Sequence, residues 1–82
     1  MEGPMSVFAI YADYRKKNDN MIPYYVVAPS AEAAKERFHR VMSWLMVYRI
    51  KRITDETLIQ DIRANRTKYI CLSWVELQNE AL

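Results

Sequence analysis

The stretch IPYYVVAPSAEAAKERFHRVMSWLMVYRIKRI, residues 22–53, decides the fold of this chain. Its first part alternates Ile22, Tyr24 and Val26 with Tyr25 and Val27, the two-residue period of an extended strand. Pro23 lacks an amide proton, so a strand over 21–28 either starts there or turns that position toward an open edge. Pro29 and Ser30 end it, and the Ser30 hydroxyl can accept a hydrogen bond from an unpaired amide of a following helix that starts at Ala31. Glu32 lies at the positive end of that helix dipole. Ala34, Phe38, Val41, Met42 and Leu45 then recur at three- and four-residue spacing, while Glu32, Lys35, Glu36, His39 and Arg40 fill the other side. Phe38 centres the apolar stripe. No Gly or Pro marks where the helix stops; Val47, Tyr48, Ile50 and Ile53 favour an extended strand over 46–53, the alternative being a helix continued through Met46, Ile50 and Ile53.

Upstream of this stretch, Phe8, Ile10, Ala12 and Tyr14 fall on alternate positions and predict a strand over 7–15 that ends in water at Asp13 and Arg15. Lys16-Lys17-Asn18-Asp19-Asn20 then reads as a hairpin turn, since Asn and Asp tolerate the left-handed backbone such turns need. Residues 1–4 read as a leader outside the fold. Downstream, Thr54 and Asp55 predict a cap for a short helix over 56–64, with Leu58, Ile59 and Ile62 on one face and Asn65 closing it. Residues 67–77 alternate Ile70, Leu72 and Trp74 against Tyr69, Cys71, Ser73 and Val75, and predict a long central strand. Residues 79–82 read as a frayed tail. The expected fold is one α+β domain: a four-stranded, mainly antiparallel sheet with one main helix on one face and a short second helix.

Composition bounds the function. With 51% hydrophobic and 27% charged residues the chain has the balance of a folded domain. A net charge of +2 is far below the field expected of a protein specialised for phosphate backbones. The lone cysteine, Cys71, cannot form an internal disulfide and sits in an apolar run, so it reads as an inert core residue in a cytoplasmic protein. One histidine and one cysteine, His39 and Cys71, offer little for nucleophilic catalysis and too few ligands for zinc. The only glycine is Gly3, so a glycine-rich phosphate loop is lacking, and no apolar run is long enough to cross a bilayer. The expectation is a non-enzymatic chain without cofactor, metal or membrane partner.

The layout of residues 22–53, a strand ending in Ala28, a short entry into an Ala/Glu helix and a return strand with alternating Arg, resembles small phage-encoded host-takeover inhibitors. The nearest are the T7-type inhibitors of host RNA polymerase. The residues that carry this are Val26-Val27-Ala28, Glu32-Ala33-Ala34 and Tyr48-Arg49-Ile50, within about 40% of the chain, and the pattern is one that unrelated folds share. The resemblance implies a phage or mobile-element protein that modulates or inhibits a macromolecular partner; it transfers no binding residue. The aromatic segment 67–77 departs from the pattern and puts a shared target in doubt.

The surface read as binding is the first hairpin with the return strand: Tyr14, Arg15, Lys16, Lys17, Tyr25, Arg49, Lys51 and Arg52, tyrosine rings rimmed by cations. A protein is the first partner class. A nucleic acid bound through the same basic and tyrosine residues is the alternative, and a homo-oligomer is a third reading.

Overall fold

The computed structural model describes residues 4–14, 21–65, 67–73 and 77. Its elements run β1 (Ser6–Asp13), β2 (Tyr24–Ala28), α1 (Ala31–Val41), β3 (Met46–Ile53), α2 (Glu56–Ala64) and β4 (Ile70–Cys71). Both helices start where the sequence supplies an acceptor. Ala33 donates its amide to Ser30 Oγ at 3.1 Å, and Thr57 donates to Asp55 Oδ1 at 2.9 Å. Helix α1 stops at Val41: the Met42 amide still reaches the Phe38 carbonyl at 2.8 Å, a turn over 42–45 follows, and the β-branched segment from Val47 takes the extended state.

The sheet has the order β3-β1-β2-β4. Strand β1 pairs antiparallel with β2, from Ser6 opposite Ala28 to Ile10 opposite Tyr24, and antiparallel with β3, from Val7 opposite Ile53 to Asp13 opposite Met46. A bulge interrupts the second ladder, where Tyr11 faces Arg49 but Ala12 faces Val47, leaving Tyr48 as the extra residue. Strand β4 pairs parallel with β2 through Tyr24–Ile70 and Tyr25–Cys71. The sheet is therefore mixed, and the expectation of a mainly antiparallel one is corrected.

The predicted long central strand over 67–77 is corrected as well. The described part is a two-residue edge strand, and β1 and β2 are central. Along the β2 edge the pairing is short. Leu72 donates its amide to the Tyr25 carbonyl at 2.9 Å, but the next acceptor along that edge, the Val27 carbonyl, is taken by Arg37 Nη1 at 2.7 Å. The described part of the ladder ends there. The chain turns instead, and Leu77 donates to the Ser73 carbonyl at 2.9 Å, a helix-type bond. Leu77 is fully buried, and its carbonyl accepts from Arg63 Nε at 3.0 Å.

Strand alternation sorts the core into two clusters. Phe8, Ile10 and Ala12 of β1 join Val26 and Ala28 of β2 with Ala34 and Phe38 of α1. Val7 and Ala9 join Tyr25, Val27 and Ile53 with Ile59 and Ile62 of α2 and with Leu77. Phe38 has no exposed surface, and its ring meets Tyr24 edge-on at 5.3 Å. Cys71, expected in the core, is only half-buried, because β4 lies at the sheet's edge. Val41, expected on the buried stripe, is exposed; it is the last residue of α1 and lines an open cavity with Val26 and Leu72. The sequence-read tail 79–82 and most of the leader lie outside the described residues; Pro4 is exposed.

Candidate functional site

Strand β3 is the outermost strand on its side, and no described residue pairs with its outer edge. It carries Arg49, Lys51 and Arg52, all exposed, and none of the three is in an ion pair with a described carboxylate. The register places Arg49 and Lys51 on the side of β3 that faces with Tyr11 and Ala9, the α2 side, and Arg52 on the opposite side next to Phe8. The guanidinium of Arg49 lies 5.8 Å from the centre of the ring of Tyr11, its cross-strand partner on β1, a cation–π distance. Arg52 lines a shallow cavity of about 540 Å³ with Phe8, Ile50, Pro29 and Ser30, beside the start of α1. One strand thus presents cations on both sides and, along its rim, amides and carbonyls that no described strand pairs with, a surface able to take an added strand or a row of carboxylates.

The other residues read from the sequence are placed as follows. Tyr14 follows the end of β1 directly and is exposed; its amide donates to Asp13 Oδ1 at 2.6 Å. Arg15, Lys16 and Lys17 lie outside the described residues. Tyr25, expected at the surface, is 6% exposed and belongs to the α2-side core. The reason is position: β2 is an interior strand, so its ring is covered by neighbours on both sides, and it stacks edge-on with Tyr69 at 5.6 Å. Burial, with the Tyr11 and Tyr69 phenols nearby, pushes the Tyr25 hydroxyl above its ordinary value.

Two further groups were not visible in the sequence. Tyr11, on the alternation of β1, meets Arg49 only because β3 pairs with β1 rather than with a later strand. Asp61, on the last turns of α2, accepts hydrogen bonds from the Tyr69 hydroxyl, from Asn65 Nδ2 at 2.7 Å and from Lys68 Nζ at 3.3 Å. The Tyr69 bond foremost, with Lys68 and Asn65, holds the Asp61 carboxyl below its ordinary value. The same bond raises the Tyr69 phenol, and Asp61 raises the Lys68 ammonium. This cluster ties the end of α2 to the entry of β4. A D-x-x-x-N pair followed by Lys-Tyr was present in the sequence, but its closure depends on the turn at Thr67 and Lys68.

The two reactive side chains are on different sides of the sheet. Cys71 packs at the margin of the α2-side cluster, whereas the His39 ring lies 5.7 Å from Phe38 in the α1-side cluster. Among the described residues no group of three His, Cys, Asp or Glu could hold a metal ion, and no helix is long and apolar enough to cross a membrane. No protein-family model, curated protein or solved structure matches the chain.

Proposed function

We propose that the protein is a small non-enzymatic binding protein that modulates its partner by occupying an acidic protein surface, with β3 as the contact strand. The observation that supports this best is the outer edge of β3, which no described residue pairs with and which bears Arg49, Lys51 and Arg52, none of them in an ion pair with a described carboxylate. Cations on an edge strand repel a second copy of the same edge and so oppose self-pairing there. The same charges attract a strand or loop rich in Asp and Glu, raising the association rate and fixing register. The outer edge of β3 is an edge of the sheet where, among the described residues, backbone groups are left to a partner. The likeness of residues 22–53 to host-takeover inhibitors supports a phage or mobile-element origin and a target in the bacterial cytoplasm. Inhibition is the direction of effect that this likeness implies.

The test is affinity capture from bacterial lysate, with and without nuclease, using the parent and a Lys51→Glu/Arg52→Glu variant. A captured protein that survives nuclease and is lost with the variant supports the proposal. Equal capture by both forms would show that the charges serve only to keep the edge unpaired. Loss of all binding on nuclease treatment, with a steep fall in affinity between low and moderate salt, would turn the reading to nucleic acid.

A further inference from the structure

Backbone direction decides what the outer edge of β3 can hold. Along a strand the amide and carbonyl of one residue point to one side, and those of the next residue point to the other. Leu72 donates its amide to the Tyr25 carbonyl at 2.9 Å, so Tyr25 turns its backbone groups toward β4, and Tyr24, Val26 and Ala28 turn theirs toward β1. The register then makes Ile10, Phe8 and Ser6 the β1 residues that bond to β2, and Val7, Ala9 and Tyr11 those that bond to β3. Their partners on β3, namely Ile53, Lys51 and Arg49, face inward. Ile50 and Arg52 lie between these and point amide and carbonyl to the outer edge, which no described residue pairs with. The side chains of Ile50 and Arg52 are on the α1 side, where both line the cavity of about 540 Å³ with Phe8, Pro29 and Ser30. Those of Arg49 and Lys51 are on the α2 side.

From this geometry, and resting on the function proposed above, we infer that the partner docks an extended segment along β3 as an added antiparallel strand, with the side-chain pattern acidic, acidic, apolar, acidic. Read in the partner's chain direction, these residues lie opposite Arg52, Lys51, Ile50 and Arg49. The apolar residue stands beside Ile50 at the mouth of the cavity, whose walls of Phe8, Ile50 and Pro29 suit a Phe or Leu side chain. The carboxylate opposite Arg52 lies on that same side, and the other two meet Lys51 and Arg49 on the α2 side. Opposite charges facing each other across the strands and one apolar anchor set the register, while bonds to the Ile50 and Arg52 backbone add affinity that is independent of side chains. The antiparallel direction lets one partner residue exchange both bonds with Ile50 and another both with Arg52, and it is the more stable pairing per residue. A loop that only laid carboxylates on the three cations would use none of these backbone groups.

The probe is the end-capped peptide Thr-Thr-Glu-Glu-Phe-Glu-Thr-Thr, titrated into the full chain up to about 1 mM and followed by amide NMR. In the free protein, hydrogen exchange is expected to be fast at the Ile50 and Arg52 amides and slow at Lys51; with peptide bound, exchange at Ile50 and Arg52 should slow at least about tenfold. N-methylation of the first Glu and the Phe, whose amides face β3, should raise the Kd at least about tenfold, whereas N-methylation of the second and third Glu, whose amides face away, should change it less than about threefold. Exchanging the peptide's Phe for Thr, which empties the cavity, should also weaken binding at least about tenfold, as should Lys51→Glu/Arg52→Glu in the protein. The peptide variants leave the protein untouched, so the test holds even where a charge reversal unfolds it. Absence of binding up to the highest concentration, equal effects of the two methylated peptides, or unchanged exchange at Ile50 and Arg52 overturns the inference. The two readings fail separately. Lysate capture that is lost with Lys51→Glu/Arg52→Glu, while the two methylated peptides bind alike, keeps the acidic partner and removes the added strand; the expected methylation pattern with capture indifferent to those charges keeps the added strand and removes the acidic partner.

Discussion

Replacing Phe38 by alanine removes the residue on which the α1-side core converges. Its side chain has no exposed surface, touches the Tyr24 ring edge-on at 5.3 Å and shares its cluster with Phe8, Ile10, Ala12, Val26, Ala28 and Ala34. Truncation of a fully buried phenylalanine costs ~3–5 kcal/mol, from lost transfer energy and from the cavity that a clamped site cannot refill. A chain of 82 residues has a total stability of about 4–12 kcal/mol, so this one change removes between a quarter and all of it. Urea unfolding followed by far-ultraviolet circular dichroism reads the effect as a shift in midpoint at constant slope. Val41→Ala is the matched control: it lies on the same helix and was read from the sequence as part of the same stripe, but it is exposed and should cost under about 0.5 kcal/mol. A loss below about 1 kcal/mol for Phe38→Ala, or equal losses at the two positions, would refute the packing of α1 described above.

Ser30→Ala should lower stability by about 1 kcal/mol in the same titration, since it strips the acceptor from the Ala33 amide. Asp61 gives a pH signature. Its folded carboxyl is held below the ordinary range by Tyr69, Lys68 and Asn65, so its contribution is complete above the unfolded carboxylate value and is lost as pH falls through the folded one. The stability gap between the parent and Asp61→Asn should therefore be constant around neutrality and close in strong acid; a gap that stays the same in strong acid would contradict the hydrogen bonds on Asp61. Cys71, half-buried at the margin of the α2-side core, should label with a thiol reagent at least about tenfold more slowly in the native protein than in urea, and equal rates would show that β4 is not docked.

Local signals were legible wherever the chain chooses between periods of 2 and 3.6. The start of α1 at Ala31, the helix over 56–64 and the return strand over 46–53 are as predicted, because Ser30 and Asp55 mark helix starts and Val47, Ile50 and Ile53 oppose a continued helix; α1 ends at Val41, short of the apolar stripe read through Leu45. The segment 67–77 misled the same reasoning. Its alternation is that of a strand, but among the described residues only Ile70 and Cys71 pair with β2, and the Val27 carbonyl on that edge accepts from Arg37. Arg37 is 30 or more positions away in the sequence and carries no local mark. Tyr25 shows the corresponding limit at the binding surface: tyrosine suits an anchor and a core equally, and only its place on an interior strand decides between them.

The amino-acid sequence by itself determined which segments are helical or extended, where the helices start, and that Phe38 lies in the core, since each depends on contacts within a few residues along the chain. Strand order, the parallel pairing of β4 and the opposite sides taken by Arg49 and Arg52 on the outermost strand β3 were decided only by the tertiary structure. The physical reason is that backbone donors and acceptors are alike at every residue. Which strands pair is set by competition among distant segments for the same edge, and which side chains meet follows from the pairing.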